Sequence, residues 1–155
     1  MVNFPDGPGF LGTTATFRSD AALVLILFTA VLFTIGWQLA VHKRYNAHRW
    51  VQTVAVSVNA IVVLGAMIRP FVIYILPGIP NKLFEGSYGI TTAHALLGMA
   101  AALFGVFIVL RGNNLVPKGL RFKDYRLFMR ISYALYMLAT LMGIVVYVVV
   151  FIYGT

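Results

Sequence analysis

Between Ala21 and Val41 the chain has 21 consecutive residues without a charged side chain. As an α-helix that run is roughly 30 Å long, the thickness of the hydrocarbon core of a bilayer. Three further apolar runs follow: 49–69 with a kinked extension to 76, 90–110 and 127–153. In lipid every backbone N–H and C=O must be satisfied within the segment, so such runs are helices. The short connections between them predict an all-α fold, an integral membrane four-helix up-down bundle over 1–155. Composition agrees: 61% of residues are hydrophobic and 10% charged, against about 25% charged in a soluble domain.

The net charge of +8 would suggest nucleic acid in a soluble protein. Here the basic residues cluster in two loops, so they read as a topology signal and nucleic acid is not an expected partner. The loops after the first and third spans hold nine Lys and Arg, and the opposite side holds three, Arg18, Arg69 and Lys82. That asymmetry predicts both basic loops inside and both termini outside. The first 18 residues are turn-rich and lack the basic, apolar and small-residue regions of a cleaved signal peptide. Ser19 or Asp20 is the expected cap of the first helix.

The second span carries a polar stripe on an apolar background: His48, Gln52, Ala55, Asn59, Val62, Ala66 and Arg69 recur at helical spacing. One side then meets protein, with Gln52 and Asn59 as interhelical hydrogen-bonders. Pro70 bends or ends this helix, and Pro77-Gly78-Ile79-Pro80 stops it. In the third span Thr91, Ala95, Gly98, Ala102 and Gly105 form a small-residue seam, which predicts close helix packing through Gly98, Ala102 and Gly105. The inner face of the last helix is read as Ser132, Tyr136, Thr140, Gly143 and Tyr147. Arg69, Arg121, Lys123 and Arg126 are candidate contacts for anionic lipid headgroups or a partner chain.

Chemical groups are few. Without Cys there is no thiolate ligand or nucleophile, and all four acids are read as lying outside the spans. No catalytic residue and no metal site are assigned. Heme is the one cofactor weighed, because imidazole is an axial ligand. Its candidates are His42, His48 and His94. His42 and His48 fall at the inside end, whereas His94 lies near the outside, on the order of 25–30 Å away by helical rise. His94 cannot share an iron with the other two. An outer divalent-cation site from Asp20, Glu85 and His94 would require the fold to bring them together.

Three stretches carry a resemblance: His48-Arg49-Trp50-Val51-Gln52-Thr53 leading to Asn59, Ala93-His94-Ala95-Leu96-Leu97-Gly98, and Leu120-Arg121-Phe122-Lys123-Asp124-Tyr125-Arg126. Over the last three helices, about two thirds of its length, the chain resembles small prokaryotic four-helix membrane proteins of unknown function. Those proteins are similar to a family linked to heme-copper oxidase assembly. The resemblance implies a prokaryotic plasma membrane and association with a respiratory or oxygenase complex, without a catalytic residue. The expected function is therefore a non-catalytic structural or accessory subunit of a membrane oxidoreductase, partnered by other integral membrane subunits. A small heme-binding cytochrome is the alternative, and a small transporter or channel is the second.

Overall fold

Residues 7–120 and 124–154 are described by the computed structural model, and among them every regular element is a helix. Arg121 and Lys123, expected to contact lipid or a partner, lie outside the described residues. Four helices are long and apolar enough to cross a membrane: α1 (Phe17–Val41), α2 (Tyr45–Gly78), α3 (Ser87–Gly112) and α4 (Tyr125–Phe151). α1 packs on α2, α2 on α3 and α3 on α4, and α4 closes the ring against α1.

α1 begins earlier than its charge-free run. Thr16 is extended (φ −81°, ψ 161°) and its hydroxyl accepts from the Ser19 amide at 3.3 Å, so Thr16 is the cap rather than Ser19 or Asp20. α1 and α3 end in the same way at the basic end of the bundle. Lys43 (φ 59°) and Asn114 (φ 62°) turn left-handed just past the helix. The next amides, Arg44 and Leu115, then reach back to the Leu39 and Leu110 carbonyls. This Schellman closure satisfies terminal carbonyls, and glycine is its usual hinge. A left-handed L-residue costs roughly 1–2 kcal/mol. Lys43→Gly should therefore raise stability by about 0.5–1 kcal/mol after the extra chain entropy of glycine. Thermal unfolding in detergent measures it, and a loss of stability would assign Lys43 a contact beyond the turn.

α2 is continuous past its proline but not uniformly α-helical. Tyr45–Val62 is α-helical, Val63–Met67 and Phe71–Ile75 are π turns, and Ile68–Pro70 is a short α segment between them. Pro70 has no N–H to give the Ala66 carbonyl, and the chain absorbs the defect by widening its turns. A 3-10 turn over Leu76–Gly78 ends the span. The first half keeps the stripe read from sequence: Ala55, Asn59 and Val62 are buried. Arg69 does not stay on that stripe and is exposed. The first π turn adds residues to its turn and rotates everything after it away from the expected face.

The core lies where α1, α2 and α4 meet, around Phe33, Ala55, Val56 and Tyr136. The Phe33 and Tyr136 rings stand 4.3 Å apart, and Trp37 meets Tyr133 edge-on at 4.6 Å. The inner face of α4 carries buried Tyr136, Thr140 and Tyr147, with Gly143 against His94. Large apolar residues such as Ile61, Leu64 and Leu96 are about 70% exposed, a surface suited to lipid rather than water.

The seam expected on α3 is displaced. A Cβ built on Gly98 meets nothing within 4 Å, and Ala102 is only half-buried. The buried ridge is Ala101, Gly105 and Ile108. Of the expected trio only Gly105 is in close contact, its Cβ position 3.7 Å from Val56 and 3.9 Å from Ser132. The run of small residues is real, but α3 turns its Ala101, Gly105 and Ile108 edge to the bundle and leaves Gly98 open.

Candidate functional site

The polar groups of the chain collect at two ends. At the basic end a cavity of about 470 Å³ opens between α2, α3 and α4, floored by Phe33. Arg49, His48 and Gln52 enter it from the first turns of α2, Asn113 from the end of α3, and Tyr125, Arg126 and Ser132 from the start of α4.

Local hydrogen bonds hold each wall. The Asn113 amide donates to the Val109 carbonyl (2.9 Å) and to the Thr53 hydroxyl (3.1 Å). The Thr53 hydroxyl in turn donates to the Arg49 carbonyl (2.8 Å). The Tyr125 hydroxyl donates to the Ile108 carbonyl (3.1 Å) and passes over Gly112, where a Cβ would sit 2.9 Å from its oxygen. His48 Nδ1 donates to the Gly36 carbonyl (2.7 Å), since a carbonyl can only accept. Gln52 lies directly on Gly36.

The charges are less well matched than the walls. Arg49 Nε and Arg111 Nε are buried without a hydrogen-bond partner. The Arg49 guanidinium sits 5.6 Å from the Trp50 ring, and that of Arg111 sits 5.4 Å from Tyr125. Among the described residues no acidic side chain lines the cavity. Asp124, at the start of α4, is exposed.

The three imidazoles do not converge. His42 Nδ1 donates to the Gln38 carbonyl (2.8 Å) at the edge of a separate, mainly apolar groove along α1. His48 lines the basic cavity instead. His94 packs against Gly143 of α4, with Nδ1 buried and unpartnered. Among the described residues no three His, Asp or Glu side chains are grouped to hold a metal ion. This arrangement does not fit a bis-imidazole heme: His42 and His48 line different cavities, and His94 lines neither.

The opposite end holds a feature the sequence reading missed. Asp20 lies inside the first turn of α1, not in a solvated loop, and is fully buried. Its Oδ2 accepts from the Phe10 and Leu11 amides (2.6 and 2.7 Å), and its Oδ1 from the Tyr147 hydroxyl (2.5 Å). The Thr13 hydroxyl lies 2.8 Å from that of Tyr147, and Thr14 donates to the Phe151 carbonyl (2.7 Å). The segment before α1 is thus folded over the ends of α1 and α4. Asp20 is consumed by this closure and Glu85 is exposed, so neither joins His94. The one signal was Gly9, which has no room for a Cβ between the Asp20 carboxylate and the Ala15 carbonyl.

Comparison with protein-family models, with curated proteins and with solved structures found no match to this chain.

Proposed function

We propose that this chain is a non-catalytic subunit of a larger membrane oxidoreductase, inserted in a prokaryotic plasma membrane with both termini outside. The observation that carries the subunit reading is Arg69. It is exposed on α2, between apolar turns on both sides, and makes no ion pair among the described residues. Phe71 to Leu76 extends beyond it by roughly 9 Å of helix, so it stands short of the expected outer headgroup level. A charge held at that depth usually faces protein or a water-filled cavity and is paired there. A carboxylate on a neighbouring membrane chain is the partner proposed.

Two further features support the reading. α2 is the least enclosed span, with 6% of its apolar window buried against 17–22% in the others. Many polar groups inside the bundle are held by main-chain carbonyls or by one another, which suits a structural role. The oxidoreductase class comes from the sequence resemblance, and the orientation from the distribution of Lys and Arg.

Extraction in mild detergent and identification of co-migrating chains tests the subunit reading. The expected result is at least one other integral membrane chain, lost on Arg69→Gln while the variant keeps its helicity. Purification as a stable monomer that brings down no other membrane chain sinks it. For the orientation, a membrane-impermeant amine reagent applied to intact cells should leave Lys43 and Lys118 unmodified. Modification of either from outside reverses the topology.

A further inference from the structure

We infer that the basic-end cavity is a binding site for a phosphate group, specifically the headgroup phosphate of an anionic phospholipid seated between α2 and α4. The inference concerns this chain alone and holds whether or not a partner chain covers α2.

Arg49 and Arg126 enter one cavity of about 470 Å³ from two different helices, and among the described residues no carboxylate lines it. The two like charges repel each other across the cavity, and an anion between them relieves this, chiefly for the half-buried Arg49; Arg126 is exposed at the rim. Arg49 Nε is buried and has no acceptor. A guanidinium presents several donors in a rigid fork that matches phosphate oxygens. The Ser132 hydroxyl lines the same space, whereas the Asn113 amide and the Tyr125 hydroxyl already give their hydrogens to the walls.

The backbone adds to the field. α2 and α4 both begin at this cavity, at Tyr45 and Tyr125, and neither N-terminus receives a side-chain cap. Uncapped N-terminal amides and the helix dipole favour an anion. The two C-termini at the same end are already closed by their own return bonds from Arg44 and Leu115. Among the described residues Asp124, exposed at the start of α4, is the acid nearest this end, and it does not line the cavity.

The mouth selects lipid over free phosphate. Tyr45, Trp50 and Leu127 flank Arg49 and Arg126 and are 55–58% exposed. Tyr and Trp settle at headgroup depth, and an exposed Leu beside them suits an acyl chain. Basic pockets between membrane helices on the inner side are suited to anionic headgroups in this way.

Native mass spectrometry of the protein extracted in detergent, with phosphatidylglycerol or phosphatidylcholine added, tests the site. The unaltered protein should retain phosphatidylglycerol in preference to phosphatidylcholine. Arg49→Gln and Arg126→Gln should each weaken retention by about tenfold to a hundredfold, the loss of one charge-assisted contact. Arg130→Gln removes the same charge outside the cavity and should leave retention unchanged. Circular dichroism and a single monodisperse peak confirm that the variants are folded. Inorganic phosphate is titrated separately without lipid, read by Trp fluorescence. A response to phosphate that needs both arginines, with no lipid preference, upholds the anion site and reassigns it to free phosphate. Absence of any preference or response in the unaltered protein overturns the inference, as does equal loss in all three variants.

Discussion

Asp20→Ala is expected to lower stability by on the order of 3 kcal/mol, the loss of hydrogen bonds to a charged acceptor that are worth about 1.5–3 kcal/mol each. Three donors converge on that carboxylate: the Phe10 and Leu11 amides on one oxygen and the Tyr147 hydroxyl on the other. Alanine leaves the two amides without an acceptor in a covered site and leaves Tyr147 only the Thr13 hydroxyl. The cost stays below the sum of the three bonds because only the segment before α1 covers Asp20, and that segment can lift and rehydrate the donors. Asp20→Asn should cost about half as much. Its single carbonyl oxygen can take the place of the oxygen that serves both amides, while its N–H₂ donates to the Tyr147 oxygen, so geometry survives and charge is lost. Tyr147→Phe keeps both amide bonds and should cost about 1 kcal/mol. Thermal unfolding in detergent gives the order Ala, Asn, Phe. Hydrogen exchange at the Phe10 and Leu11 amides gives the mechanism: exchange that does not quicken in Asp20→Ala would mean that the carboxylate does not hold the segment down.

The number and position of the four long apolar helices were legible because they rest on length and apolarity alone. The charge-free run from Ala21 to Val41 ends where α1 ends. The stripe through Ala55, Asn59 and Val62 also held, since 3.6-residue periodicity is preserved up to Val62. It failed at Arg69 because the π turn over Val63–Met67 changes the period before it, and a proline announces a defect without saying how the chain absorbs it. Asp20 was illegible for a different reason. An acid at the edge of an apolar run reads as solvated unless one knows that the preceding segment folds back over it. The basic cavity was half-legible: the excess of Lys and Arg at one end follows from sequence, but the entry of Arg49 and Arg126 into one space depends on how the helix ends are rotated. His48 and Gln52 were read as polar-stripe residues, and their common contact with Gly36 could not be. Gly36 and Ala40 form a small-residue pair at spacing four in α1, but the longer run of small residues on α3 drew the expected seam there, and Gly36 was passed over.

Gly36→Val is expected to cost about 2–3 kcal/mol, the upper part of the range for over-packing a close contact. A Cβ built on Gly36 lies 2.6, 2.9 and 3.2 Å from three atoms of the Gln52 side chain. The Gly36 carbonyl also accepts from His48, so α1 and α2 are fixed at one level by a contact and a hydrogen bond together. Gly36→Ala should be mild, below about 1 kcal/mol, because the clash is with the end of a flexible side chain that borders the basic cavity and can swing into it. Valine adds two methyls and removes that escape, so α1 and α2 must separate, and the rings packed at Phe33 and Tyr136 with them. Gly98→Val is the contrasting variant. Its Cβ position is open, and the change should lie within about 0.5 kcal/mol of the parent. Unfolding of all three variants in one detergent decides between two seams. If Gly98→Val is as damaging as Gly36→Val, a further helix occupies the Gly98 face, and the small-residue spacing of α3 serves a contact outside this chain. If only Gly36→Val is damaging, the tight crossing of the bundle is α1 on α2, and the small residues of α3 leave a surface that lipid fills.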